Sequence, residues 1–138
     1  MDPKHDEQLC ARYPNLYRDR HASPRSTCMC WGFTCGDGWF DLVDQLSAKL
    51  EAAVVQLKDA GTPEEQLPVA AQLKEKFGGL RLYMDNAADE MQSWIAEAEA
   101  RSFTVCEQCG APGVVRTGGW IRTLCDACHA KRNPDDAE

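Results

Sequence analysis

The sequence predicts a small α+β domain: two main helices and a β-hairpin packed together, followed by a cysteine-rich C-terminal segment. Three observations carry this. Apolar residues recur at helical spacing after Gly36, a Gly-Gly pair near residue 78 sits between two stretches that read as strands, and four of the eight cysteines stand as two C-x2-C pairs near the end. At 138 residues the chain suits one domain or a domain with a small appendage. The boundaries read as an α+β domain with a Cys-rich N-terminal segment over 1–102, a finger over 103–133 and a flexible tail over 134–138.

The first 27 residues lack a clear period. Tyr13, Leu16 and Tyr17 fit one helical turn, and Pro14 and Pro24 punctuate the segment. From Asp37, a plausible N-cap, Trp39, Leu42, Val43, Leu46, Leu50, Ala53, Val54 and Leu57 form an apolar stripe that Gly61 stops, which predicts a helix over 38–60. Thr62-Pro63-Glu64-Glu65 reads as a second helix start with a capping box, which Pro68 must end within about one turn. From Val69 to Met84 two readings stand. A helix runs through Val69, Leu73 and Phe77, or Gly78-Gly79 turns a hairpin in which Leu73, Glu75 and Phe77 face Met84, Leu82 and Leu80. The hairpin is favoured because Leu80-Arg81-Leu82-Tyr83-Met84 alternates. The second main helix is expected from about Asn86 to Ser102, with Met91, Trp94, Ile95 and Ala98 on one face.

The formal net charge of −7 argues against a protein that coats duplex nucleic acid, since neutralising phosphates needs a surplus of cations. The charge is uneven: +1 over 1–35, −8 over 36–100, +3 over 101–133 and −3 over 134–138. No apolar run exceeds Ala52-Ala53-Val54-Val55, which excludes a membrane-spanning helix, and the charged Met1–Glu7 stretch is unlike a signal peptide. These features predict a cytoplasmic protein, in which cysteines serve as metal ligands or free thiols rather than disulfides.

Cys106-Glu-Gln-Cys109 and Cys125-Asp-Ala-Cys128 are separated by fifteen residues. Two such knuckles present four thiolates to one tetrahedral Zn2+, and a full shell leaves no open position for a water nucleophile, so the predicted site is structural. Val114-Val115-Arg116 and Trp120-Ile121-Arg122 read as a hairpin joined through Thr117-Gly118-Gly119, and residues 126–132 as a short helix. Knuckle, hairpin and a ligand pair at a helix start resemble treble-clef fingers and zinc ribbons. With four thiolates and one Zn2+ the holo chain carries a charge of about −9. His129 stands beside a ligand, outside a shell that four cysteines complete.

The other cysteines are less regular. Cys28, Cys30 and Cys35 with Cys10 or His21 offer a second metal site. Alternatively they are small buried thiols beside Trp31 and Phe33, or Cys35 is a reactive thiol near a helix start, with His21 as partner base. Lys74, Lys76, Arg81 and Tyr83 share one face of the predicted hairpin, with Phe77, Leu80 and Leu82 facing the core. That face, or Arg116, Trp120 and Arg122 with Lys131 and Arg132 on the finger, offers contacts to phosphate or to an acidic partner.

Tyr13-Pro14-Asn15-Leu16, Cys35-Gly36-Asp37-Gly38-Trp39, the run from Lys74 to Tyr83 and the Cys106–Cys128 finger together resemble small phage- and prophage-encoded proteins of unassigned function. The resemblance spans most of the chain and implies a bacterial context. Residues 103–132 alone are also similar to the finger of DksA/TraR-type RNA polymerase regulators, although the long coiled-coil hairpin of those proteins is not evident. The expectation is a non-enzymatic binding protein that inhibits or modulates a bacterial host or defence complex, with its acidic helices imitating nucleic-acid phosphate. The alternatives are a zinc-finger regulator that binds nucleic acid or RNA polymerase, and a nucleotide-binding sponge or small enzyme using the Lys74/Lys76/Arg81 face.

Overall fold

Leu42, Val43, Leu46, Leu50 and Val54 lie on one stripe at helical spacing, and all five are buried along one face of a long helix. The structure, a computed structural model, describes residues 1–132. Within it the chain runs α1 (Pro3–Arg12), β1 (Phe33–Thr34), α2 (Phe40–Asp59), β2 (Val69–Lys76), β3 (Gly79–Asp85), α3 (Asp89–Ser102), β4 (Val114–Arg116), β5 (Arg122–Leu124) and α4 (Asp126–Arg132). The tail expected from residue 134 lies outside the described residues.

The expectation of two main helices and one hairpin is therefore corrected: the described residues hold four helices and two sheets. The first sheet has the order β1-β2-β3, with β1 parallel and β3 antiparallel to β2; the second is the β4-β5 pair. The unforeseen elements had too little apolar signal: α1 buries only Leu9 and β1 is two residues long, whereas α4 lies on the short helix expected over 126–132. The start of α1 is nevertheless marked by Asp2, whose carboxylate accepts from Lys4 N at 2.8 Å, and by Pro3 in the first turn.

The hairpin reading of 69–84 holds, but its register moves by two. Leu73 pairs Leu82, Glu75 pairs Leu80 and Lys76 pairs Gly79, so the turn is Phe77-Gly78, with φ of 53° and 83°. Two positive φ values in a two-residue turn match the twist of the strands. Gly79 is needed elsewhere: a Cβ there would stand 2.6 Å from the Phe103 ring. Phe77 thus leaves the core for the turn and is 64% exposed. A bulky residue in this left-handed region costs about 1–3 kcal/mol, and Phe77 recovers little by burial.

Three boundaries also shift. α2 begins at Phe40 after a 3-10 turn over Asp37–Trp39, the 62–66 stretch is one 3-10 turn without a side-chain cap, and α3 begins at Asp89. The finger hairpin pairs Val114 with Leu124 and Arg116 with Arg122, which leaves Trp120 and Ile121 in the connecting loop.

The segment without periodicity is fixed by polar contacts. Glu51 of α2 accepts from Leu16 N (2.8 Å) and Asn15 Nδ2 (2.7 Å); Tyr17 Oη and Ser47 Oγ share a buried hydrogen bond of 2.6 Å. Arg18 donates to the carbonyls of Asn15, Leu67 and Pro68, and Arg20 grips both carboxylate oxygens of Asp6 and the Cys30 carbonyl.

Asp37 is not the helix cap expected of it. Its Oδ1 instead receives Asp2 N at 2.7 Å and lies 2.9 Å from His5 Nδ1, which ties α1 to the start of α2. The Asp2 N–H, and then His5, hold the Asp37 carboxyl below the usual carboxylate range. A depressed carboxylate pKa stabilises the folded state above the unfolded value of about 4, and the contribution is lost as pH falls through the lower folded value. Hydrogen exchange should show α1 losing protection below about pH 4 in the parent chain. In Asp37→Asn that protection should already be reduced at pH 7, with a smaller pH step.

Candidate metal centre

Cys106 and Cys109 flank a tight turn after α3, in which Gly110 N bonds the Cys106 carbonyl at 2.9 Å. Cys125 and Cys128 sit at the start of α4, where Cys128 N points at Cys125 Sγ at 3.4 Å. The fold brings the two pairs together. All four Sγ atoms lie within 4.8 Å of one another, and Cys109 Sγ is 3.6 Å from Cys125 Sγ. Bonded sulfurs would be about 2.05 Å apart, so these are not disulfides. Four thiolates on a tetrahedral Zn2+ at about 2.3 Å stand about 3.8 Å apart, which fits this cluster.

The cluster is electrostatically uneven. Burial raises the Cys106 pKa, but N–H groups of Cys125, Cys109 and Gln108 aimed at its sulfur outweigh that, and the net shift is downward. The thiols of Cys109 and Cys128 are pushed up, that of Cys128 chiefly through its hydrogen bond with Cys125. The arrangement can hold a thiophilic cation and supplies all four ligands itself.

No second group of three such donors converges among the described residues. Cys10, Cys28, Cys30, Cys35 and His21 thus do not form the second metal site expected of them. Cys35 is buried in the main core, where desolvation raises its pKa to about 12. Cys10 is half-buried beside Asp6, and desolvation followed by that carboxylate raises it to about 11. Both shifts oppose a reactive thiolate. Cys28 and His21 are exposed, Cys30 is half-buried, and His21 and Cys10 line a cleft of about 630 Å³ with Trp31 and Arg20.

The phosphate- and partner-binding candidates divide. Lys74 and Arg81 are cross-strand partners, and Lys76 and Tyr83 follow the same two-residue alternation. Arg81 is paired with Glu99 at 3.2 Å. On the finger, Arg116 bonds the Leu124 carbonyl and Asp126, and Arg122 bonds Glu107 at 2.8 Å. Trp120 is 73% exposed. Some acids of the central helices are likewise engaged within the chain: Asp44 by Arg12 and Tyr13, Glu51 by Asn15 and Leu16.

The residue that reading by motif missed is Glu107, inside the first C-x2-C. It is 3% exposed, yet fully provided for: Oε2 accepts from Gly36 N at 2.9 Å, Oε1 takes Arg122, its carbonyl accepts from Gly38 N at 2.7 Å, and its N–H bonds Thr123 O at 3.0 Å. Trp39, fully buried, adds Nε1 to the Val105 carbonyl at 2.8 Å. A Cβ on Gly36 would collide with the Glu107 carbonyl, and one on Gly38 with the carbonyl of Cys106. The Cys35–Trp39 motif is thus the seat of the first knuckle. On the other side Thr123 Oγ1 donates to the Gly78 carbonyl at 2.6 Å, so the hairpin turn is a second seat.

Removing one partner of a buried charge pair is expensive, so Glu107→Ala should cost about 3 kcal/mol in urea unfolding, and Glu107→Gln less because it retains hydrogen-bonding groups. Comparison of the chain with family models, curated proteins and solved structures finds no match, so the site is read from its own geometry.

Proposed function

We propose that the chain is a non-enzymatic binding protein, carrying one structural Zn2+, that works through protein–protein contacts with a bacterial host or defence complex. The observation that carries this reading is the complete donor set: four cysteine sulfurs converge on one point. With all four thiolates bound, no position remains for a substrate or an activated water. The ion acts as a clamp on a segment that contributes only Cys106, Leu124 and Cys128 to its own small buried cluster. The bacterial setting follows from the phage-like combination of motifs, which the two finger seats account for physically. Net charge disfavours a nucleic-acid coat, and Arg116 and Arg122 face groups of their own chain.

Metal analysis of protein purified from bacterial cells should find one zinc per chain. Zinc at about a thousandfold excess over its dissociation constant should add about 4 kcal/mol to stability, lost on chelation. Cys106→Ser and Cys128→Ser should each abolish that increment. Crosslinking in bacterial lysate followed by native mass measurement should recover a defined complex that survives nuclease treatment. Recovery of the bait alone at low salt overturns the reading.

A further inference from the structure

Asp37-Gly38 is the only place in the chain where Asp or Asn precedes glycine. That dipeptide carries a chemistry of its own. The glycine nitrogen attacks the carboxyl carbon of the Asp side chain, a C–N bond forms, water leaves, and a five-membered succinimide results. Water then opens the ring at either carbonyl. Opening at the main-chain carbonyl leaves isoaspartate, in which the chain runs through what was the side chain. Glycine favours the attack because no Cβ shields its nitrogen. The two steps release and take up one water, and no other reactant takes part.

The fold withholds each requirement of that reaction. The Gly38 nitrogen is occupied, its hydrogen aimed at the Glu107 carbonyl 2.7 Å away. The Asp37 carboxylate is turned toward α1, with Oδ1 on Asp2 N at 2.7 Å and His5 Nδ1 at 2.9 Å. Those partners keep it ionised, which is the poorer electrophile. Asp37–Trp39 forms a 3-10 turn, whose narrow range of torsions differs from the one that ring closure demands. Nor can a less reactive neighbour stand at 38, because a Cβ there would collide with the Cys106 carbonyl. One restraint depends on the finger. Glu107 lies between two metal ligands, and the finger buries only Cys106, Leu124 and Cys128 in its own cluster, so without the ion little holds the Glu107 carbonyl over Gly38.

We infer that Asp37-Gly38 is a latent self-modification site that the seated first knuckle keeps shut, and that loss of the metal opens it to succinimide and then isoaspartate formation. This rests on the reading of the four cysteines as a structural zinc site. The product no longer fits its seat. Isoaspartate adds one methylene to the main chain ahead of Gly38, which moves Gly38 N–H off the Glu107 carbonyl and Trp39 Nε1 off the Val105 carbonyl. Metal loss is thereby reversible at first and irreversible once the ring has closed and reopened the other way.

The test follows isoaspartate at position 37 by fragmentation mass spectrometry of the full chain, zinc-loaded or held in chelator, at neutral pH and body temperature. The parent unfolded in urea gives the unrestrained rate. Opening is fast beside ring closure, so the rate tracks the open population. The chelated chain should approach the unfolded rate, and the zinc-loaded chain should be slower by about tenfold or more. Zinc returned to an aged apo sample should restore the loaded thermal midpoint only for the fraction that still carries Asp37. Asp37→Glu, whose longer side chain closes the larger ring far more slowly, should stay unmodified in chelator and recover fully when zinc returns. Glu107→Gln, which weakens the seat without emptying it, should speed the reaction severalfold with zinc bound. Equal rates with and without zinc, or full recovery of an isomerised chain, overturn the inference and leave the zinc reading intact. A chain that takes up no zinc overturns that reading; the seat is then judged by Glu107→Gln against the parent, and equal rates there overturn the inference as well.

Discussion

Glu107 is a carboxylate placed where water cannot reach it, and much of the architecture around it follows from keeping it satisfied. An unpaired charge at that depth would stay uncharged or unfold its surroundings. Here the guanidinium of Arg122 supplies the counter-charge from β5, and Gly36 N–H supplies a hydrogen bond from the segment before α2. Three parts of the chain that share no sequence periodicity are thereby fixed at one point. The knuckle that carries Cys106 and Cys109 is held on the same residue, through the Glu107 main chain bonds to Gly38 and Thr123. The geometry of the four sulfurs is consequently a property of the whole fold as well as of the finger.

The two glycine-containing motifs have one explanation in common. Gly36 and Gly38 let the first knuckle approach backbone to backbone, and Gly78 presents its carbonyl to Thr123 at the opposite side. Trp39, next to Gly38, is buried and bonded to the Val105 carbonyl. A motif rich in glycine and charge invites a reading as a phosphate cradle or reactive loop, but here it serves as a socket. The thiol within the motif agrees, since Cys35 is pushed up by burial rather than activated.

The parts of the fold legible in the sequence are those whose residues report burial directly. The α2 stripe, the alternation of β3 and the α3 face all appear as periodic apolar positions, and the finger cysteines appear as a spacing. α1 is polar apart from Leu9 and is held by Asp37, Asp44 and Asp6 contacts made far along the chain, which no local pattern encodes. The two-residue register difference at the hairpin has a similar origin: Gly78 and Gly79 look alike in sequence, and the need for glycine at 79, where the Phe103 ring leaves no room for a Cβ, comes from a residue far along the chain. Glu107 was hidden by its position, because a residue between two ligands reads as a spacer.

Every bond described between the finger and its two seats is made by Val105, Glu107 and Thr123, and none by the loop over 117–121. That loop is anchored at its end by the Arg132 contact to the Trp120 carbonyl, which any residue at position 120 could accept equally through its own main chain. The side chain at position 120 can consequently change identity without disturbing the metal ligands or the socket, whereas Gly119, at φ of 102°, and Ile121, beside Gly78, are more constrained. The architecture thus separates the mount of the metal cluster from the tip of the finger loop, so the clamp and the loop tip can be altered independently of one another.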